Sequence, residues 1–222
     1  GLLAGVSTAL RLQRGKQVDI YGVQARGAAA YPQSLTQGEP VSLSSMSTMA
    51  DGIAVGTPGN IPFEVIQREV DGIELVGEEE ISQALLLLAE RAKLVVEPSG
   101  AVGVAAAINQ AGQWPGPIVI VLTGGNIDPL VLMRVLRHGM TSAGRFLTVA
   151  VRVPDHPGSL AGLLTHLAES KANILTVRHT RTSPTLPVGE VDIAVEMETR
   201  GAQHCKAVVK SLVEAGYHLH PT

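Results

Sequence analysis

The sequence has a single cysteine, Cys205, so it cannot form an internal disulfide. It also has no charged leader followed by a cleavage site, and a reducing, cytoplasmic setting is expected. Aromatic residues make up only 3% of the chain, and no run of basic residues stands out: 17 Lys+Arg against 20 Asp+Glu leave a formal net charge of −3. That balance offers no electrostatic footprint for nucleic acid or for an anionic membrane surface. The longest apolar stretches, Ala84–Ala89 and Ile118–Leu122, fall well short of the roughly 18 residues that a membrane-spanning helix needs. The seven histidines show no metal-ligand spacing. His218 and His220 would share a strand face but have no third ligand in sequence, and Cys205 falls in an apolar helical stripe, so a core role is favoured for it.

What is present is an ordinary globular composition, 45% hydrophobic and 17% charged over 222 residues. That excludes disordered and fibrous chains and allows one or two domains. Gly1-Leu2-Leu3-Ala4-Gly5 lacks an initiator Met, a cap or a polar tail and reads as the interior of an element, so the chain is expected to be a piece of a longer one.

The two halves have different rhythms. From Gly1 to about His138, helical patterns alternate with short apolar runs: helix at about 2–14, strand at Val18–Val23, an irregular Gly/Ser/Pro-rich stretch at Pro32–Gly59, helix at Pro62–Val70 and strand at Ile73–Val76. Glu78–Glu80 load the first turn of the next helix with acid, which suits the positive end of its dipole. A small-residue helix at Ser99–Gln110 and a strand at Pro117–Leu122 follow. Helix alternating with strand, without period-2 polarity, predicts a parallel sheet covered on both faces. After a polar hinge at Thr141–Gly144 the pattern changes. Leu147, Val149, Val151 and Val153 alternate with polar or small neighbours, Leu160, Leu163, Leu164 and Leu167 mark one helix face, and strands are expected at Asn173–Arg181, Val191–Glu198 and Tyr217–His220. A Pro-containing loop at Thr182–Gly189 and a helix around Cys205–Leu212 complete a βαββαβ order, the ferredoxin-like arrangement.

Three segments carry possible chemistry. Thr123-Gly124-Gly125-Asn126 follows an apolar run, where a Gly pair admits a flat or anionic ligand close to backbone; a plain tight turn is the alternative. Gly1–Gly5 either presents amides to a phosphate or packs a helix through its glycines. Asp155-His156-Pro157-Gly158-Ser159-Leu160 is either a carboxylate-holding helix start or a simple β–α turn. No G-x-x-x-x-G-K-[ST] or strand-linked G-x-G-x-x-G is present, which argues against a nucleotide P-loop.

These pieces occur in a recognisable order. Gly1-Leu2-Leu3-Ala4-Gly5, Ala50-Asp51-Gly52-Ile53-Ala54-Val55, Val96-Glu97-Pro98-Ser99-Gly100-Ala101 and Leu122-Thr123-Gly124-Gly125-Asn126 together closely resemble the later part of the threonine dehydratase (threonine ammonia-lyase) family, pyridoxal-phosphate enzymes of fold type II related to serine racemase and serine dehydratase. The second half, with Asp155–Leu160 and Asn173-Ile174, resembles an ACT regulatory domain. The resemblance implies a parallel-sheet large domain of a fold-type II enzyme, in part, over 1–142, and an ACT domain over 146–222.

Cofactor contacts are then implied for Gly1 (phosphate), Thr123 (ring nitrogen), Gly124, Gly125 and Asn126 (ring edge), and Glu97. Contacts to an amino-acid effector are implied for Pro157, Gly158, Ser159, Leu160, Asn173 and Ile174, at an interface between paired domains that would make a homo-oligomer. The implied reaction is the conversion of L-threonine to 2-oxobutanoate and ammonia, with isoleucine or valine as the expected effector because threonine dehydration feeds branched-chain synthesis. A neutral hydroxyl at the ring nitrogen makes a milder electron sink than an Asp would. A serine dehydratase or racemase, and a non-catalytic amino-acid-binding or oligomerising module, are the competing readings.

The sequence departs from the family at two places. The family's Schiff-base lysine lies in a segment upstream of the glycine loop, whereas the five lysines here, Lys16, Lys93, Lys171, Lys206 and Lys210, stand in other contexts. No catalytic residue is therefore assigned, and the chain alone is expected to be inactive and not to retain the cofactor. Relatives that bind a cation use two acids after the first strand, where this chain has Gln24, Ala28 and Ala30, and a hard divalent cation wants several charged oxygens. Metal analysis of a metal-replete preparation is expected to find no tightly held Mg or Ca at this loop; full occupancy there would overturn the expectation.

Overall fold

The computed structural model describes residues 1–182 and 186–220, which form two compact units, Gly1–Gly139 and Met140–Thr222. In the first unit α1 (Leu2–Arg14) leads to β1 (Tyr21–Ala25), and α2 (Tyr31–Gln37) and α3 (Asn60–Glu69) lead to β2 (Gly72–Val76). Then come α4 (Glu78–Leu87), extended by a π turn over Leu88–Ala92, α5 (Pro98–Asn109) and α6 (Pro129–Ser142). Strands β1 and β2 pair in parallel, Tyr21 opposite Gly72 through Ala25 opposite Val76.

One side chain sets that register. Arg11, in the last turn of α1, donates to the carbonyls of Glu69 (3.0 Å), Gly15 (3.1 Å) and Val18 (2.6 Å) and pairs with Asp71 at 2.5 Å. Asp71 in turn accepts the Ile20 amide at 2.7 Å, while its own amide donates to Ile20 O at 2.8 Å. The end of α1 and the starts of both strands are thus tied at one point. The glutamates of α4 do more than answer a dipole: Glu78 accepts the Met49 amide at 2.8 Å, and Glu80 accepts the Gly77 amide and the Asn109 side chain. Helix α5 is buried along Pro98–Val102 and Val104–Ala106, as its small residues require of a helix packed against α4 and both strands.

Several expectations need correction here. Pro117–Leu122 is extended along α5 but joins no ladder, so the parallel sheet among the described residues is two-stranded. An apolar, β-rich run becomes a strand only where a neighbour supplies hydrogen bonds. Pro32–Gly59 is not wholly irregular, since α2 and a single 3₁₀ turn at Asp51–Ile53 interrupt it. The hinge at Thr141–Gly144 begins inside α6, a helix whose start was marked in sequence by Asp128-Pro129: the Asp128 carboxylate accepts the Leu130 and Val131 amides at 2.7 and 3.3 Å.

The second unit contains β3 (Phe146–Pro154), α7 (Ser159–Glu169), β4 (Asn173–Thr180), β5 (Glu190–Glu198), α8 (Ala202–Glu214) and β6 (His218–His220). The sheet order is β4-β5-β3-β6 with every neighbour antiparallel, which is ferredoxin-like. The two sheets of the chain are therefore of different kinds, one parallel and one antiparallel. Val149, Val151 and Val153 meet Val191, Ile193, Val195 and Met197 on one face, where Leu163, Leu167, Val208 and Leu212 cover them. On the other face Arg152 grips Asp192 at 2.8 and 3.1 Å, and this hydrogen-bonded pairing holds the Asp192 carboxyl below its usual range. The loop expected at Thr182–Gly189 lies, at 183–185, outside the described residues. No helix among the described residues is long and apolar enough to cross a membrane.

The Asp71 carboxyl is pushed up by burial, but the Ile20 amide and the Arg11 guanidinium outweigh this and hold it below the ordinary carboxylate value. A depressed folded-state pKa stabilises above the unfolded value and is lost as pH falls through the folded one. Asp71→Asn is therefore expected to lower stability at neutral pH in a urea titration, and the gap from the parent should close on acidification below about pH 4.

Candidate functional site

The starting fact is an absent side chain. A Cβ at Gly100 would overlap the carbonyl oxygen of Thr123, with the carbonyl carbon only 2.9 Å away, so the Thr123–Gly124 backbone lies directly on the first turn of α5. The Glu97 amide donates to Gly124 O at 3.0 Å and latches the turn there. Gly124 has φ +76°, and a Cβ on it would run into the Glu97 side chain, 2.8 Å from Cγ. Glycine is required on both grounds. A Cβ at Gly52 would stand 2.8 Å from Ser99 Oγ and 3.4 Å from Glu97 Oε1. Ser99 Oγ is buried without a hydrogen-bond partner.

Glu97, Thr123 and Gly124, expected from sequence to lie together, do so. Gly52, Ser99 and Gly100 belong to the same cluster. All three stand in the family motifs without a role; the signal for Ser99 and Gly100 was their place directly after Glu97-Pro98, and for Gly52 its place after Ala50-Asp51. Gly125 and Asn126 continue the turn at the surface. Gly1 caps α1, its carbonyl accepting the Gly5 amide at 3.0 Å, and a Cβ built on it meets nothing within 4 Å.

The cradle has the chemistry of a site for a flat, polar ring. It brings backbone at positions 52, 100 and 124, packed closely for want of side chains, together with a half-buried carboxylate at Glu97 and the hydroxyl-bearing residues Ser99 and Thr123. At the first loop Gln24 stands in place of an acid. Its side-chain oxygen accepts the Tyr31 amide at 3.0 Å and its amide donates to Ala28 O at 3.4 Å, so the loop is closed by neutral groups. Among the described residues no group of three or more His, Cys, Asp or Glu is placed to hold a metal.

The residues expected to hold an effector are not gathered within one chain. Pro157–Leu160 follow the end of β3, where Pro154 stands opposite Glu190. Asn173 and Ile174 begin β4 at the other end of the sheet, Asn173 opposite Glu198. Eight strand residues separate the two rows, roughly 25 Å. Gly158, at φ +97°, caps α7, Ser159 Oγ lies 3.0 Å from His156 Nδ1, and Leu160 packs against the core. Asn173 is engaged with Glu198 at 3.0 Å.

The model of the pyridoxal-phosphate dependent enzymes matches residues 1–124, and the chain belongs to that family. It is 43% identical over 218 residues to the L-threonine ammonia-lyase of Geobacter sulfurreducens, covering 98% of this chain and 54% of that protein. It is 38% identical over 219 residues to the L-threonine ammonia-lyase of Thermotoga maritima, covering 99% and 54%. The chain thus spans about half the length of these curated relatives. Among solved structures, the processed form of threonine deaminase isoform 2 from Solanum lycopersicum aligns at a TM-score of 0.58 and 34% identity, over 62% of this chain and 40% of that one. Maize serine racemase aligns at 0.55 and 30%, over 64% and 44%.

Gly100→Ala is expected to cost about 1–3 kcal/mol in denaturant unfolding, because the added methyl meets backbone that cannot swing aside. Gly5→Ala, with open space around it inside α1, serves as the control and is expected to stabilise by about 1 kcal/mol or less.

Proposed function

We propose that this chain is the later part of a pyridoxal-phosphate-dependent threonine dehydratase, converting L-threonine to 2-oxobutanoate and ammonia. In this reading residues 1–142 are part of the catalytic large domain and 146–222 an ACT regulatory domain. The observation that carries it is the side-chain-free cradle at Gly52, Gly100 and Gly124 beside Glu97, Ser99 and Thr123, built from the segments that the family match spans. High identity to two L-threonine ammonia-lyases over nearly the whole chain supports the choice of substrate.

The residues present fit the cofactor. Thr123, with its neutral hydroxyl, would face the ring nitrogen, Gly124, Gly125 and Asn126 would hold the ring edge with Glu97 beside it, and the start of α1 at Gly1 would hold the phosphate through backbone amides and the helix dipole. When bound, pyridoxal phosphate supplies an electron sink that makes the substrate's α-proton removable and its β-hydroxyl a leaving group. A hydroxyl, unlike a carboxylate, holds the ring nitrogen without enforcing its protonation, which favours elimination at Cβ over racemisation. In the second unit, Pro157–Leu160 of one copy and Asn173–Ile174 of another would meet only across a paired interface, so amino-acid sensing there, by isoleucine or valine, goes with homo-oligomer formation.

A second reading, an amino-acid-binding module without catalysis, draws on the second unit, whose four-stranded sheet and two helices enclose a core of their own. The test is keto-acid formation by the protein purified from its own cells with added pyridoxal phosphate. Faster release of 2-oxobutanoate from L-threonine than of pyruvate from L-serine is expected. D-serine formation would favour a racemase, and no turnover of either substrate would leave the binding module. The 222-residue chain alone is expected to keep its mass near 23.2 kDa after cofactor and borohydride treatment.

A further inference from the structure

At the carboxyl end of β1 one neutral side chain meets two backbone groups of opposite polarity. Gln24 Oε1 accepts the Tyr31 amide at 3.0 Å, and Gln24 Nε2 donates to Ala28 O at 3.4 Å. We propose that Gln24 is a positioning residue: its side-chain amide, acting alone, clasps the loop from β1 to α2 and thereby seats the Ser47–Gly52 segment on Glu97 and Ser99. The clasp stands on its own geometry, while its bearing on a reaction rests on the reading of Glu97 as a residue beside the cofactor.

The amide is matched to its partners. The Tyr31 N–H is the first donor of α2, which has no side-chain cap at Ala30, and such a donor needs an acceptor from elsewhere. Turning the amide over would set NH2 against N–H and oxygen against oxygen, so the two partners fix its orientation. A carboxylate at position 24 would still accept from Tyr31 but would set two acceptors against each other at Ala28 O. Both oxygens of the clasp already hold a hydrogen bond and both are neutral, which suits an amide and not a hard divalent cation. The nearby charged side chains are engaged elsewhere, Glu74 with Gln110 at 3.0 Å and Arg26 with Leu75 O at 3.3 Å.

The closed loop reaches the candidate site through backbone. Its 3₁₀ turn, Arg26–Ala28, ends on the fully buried Ala28. Gly27 O accepts the Ser47 amide at 3.0 Å, and a Cβ at Gly27 would overlap Ser47 O, so the two backbones lie in contact. From Ser47 the chain is pinned again at Met49, whose amide donates to Glu78 at 2.8 Å, and at the buried Ala50, whose amide donates to Thr48 Oγ1 at 3.1 Å. Two residues on, Gly52 packs on Ser99 and Glu97. If the clasp opens, Gly27 moves and the support under Ser47 moves with it.

The test compares Gln24→Ala and Gln24→Glu with the parent chain, in thermal unfolding across pH and in amide NMR spectra, with no cofactor or substrate present. Gln24→Ala is expected to unfold on the order of 4 °C lower at every pH and to displace the Ser47 and Gly52 signals. Asp71→Asn, a destabilising change at the opposite end of β1, is expected to leave those two signals in place. Gln24→Glu is expected to unfold below the parent at neutral pH and to recover toward it as pH falls to about 4, because a protonated carboxyl again offers one donor and one acceptor. The fold favours the neutral form of that carboxyl, so stability is gained as the proton binds. Gln24→Glu as stable as the parent at neutral pH overturns the need for the Nε2 donor and with it the clasp. Unmoved Ser47 and Gly52 signals in Gln24→Ala overturn the positioning role. A rise in the parent's unfolding temperature with magnesium or calcium that Gln24→Ala abolishes overturns the claim that the amide acts alone. Where a variant fails to fold, the parent decides: two separate, slowly exchanging signals of the Gln24 side-chain NH2 are expected, and exchange as fast as in free solvent overturns the proposal. Since neither cofactor nor substrate enters, a failure here is distinct from a failure of the keto-acid test.

Discussion

The close approach of the Thr123–Gly124 backbone to the first turn of α5 is the constraint on which the first unit's site depends. It exists because position 100 has no side chain, and it is held by one hydrogen bond, from the Glu97 amide to Gly124 O at 3.0 Å. With a methyl at position 100 the turn would have to lift from the helix, and the contact of Gly124 with Glu97 would be lost. Burial of nearly the whole of α5 makes that helix the rigid member against which the turn is placed. The unpartnered Ser99 hydroxyl sits at this point, a local departure from full hydrogen bonding.

Arg11 plays the corresponding part for the frame. Its guanidinium reaches three carbonyls and one carboxylate, so the planar fork of donors is used almost to capacity. A lysine there would keep the charge and lose the geometry. The parallel pair β1–β2 thus starts from a fixed point, and its strands end at Gln24-Ala25 and at Val76, just before the Glu78–Glu80 turn of α4.

In the second unit the governing constraint is the alternation of its strands. Val191, Ile193, Val195 and Met197 point one way under two helices, while Asp192, Ala194 and Glu196 point the other. Because β3, α7 and β4 form a crossover, Pro157–Leu160 and Asn173–Ile174 must fall at opposite ends of the sheet. The same connection brings Asp155 and Arg181 to the same end, where they pair at 3.3 Å.

Local pattern was enough for the second unit. Period-2 strands and 3.6-period helices are written in Leu147–Val153, Leu160–Leu167 and Val191–Met197, and the βαββαβ order follows from them. Glu97, Thr123 and Gly124 were legible as site residues through their motifs, because backbone that must accept a ligand closely needs glycine whatever surrounds it. Three features were not legible. Pro117–Leu122 has the composition of a strand, but a strand is a relation between two segments. Helix α6 announced itself only through Asp128-Pro129. The convergence of Gly52 and Ser99, and of Gly100 and Thr123, required segments far apart in sequence to pack. The sequence by itself determined the class of each half and the glycine positions where backbone can approach closely, since periodicity and side-chain size are local properties. Only the tertiary structure decided which of those residues face one another, because a distance between remote segments is set by packing and by hydrogen bonds that no single segment contains.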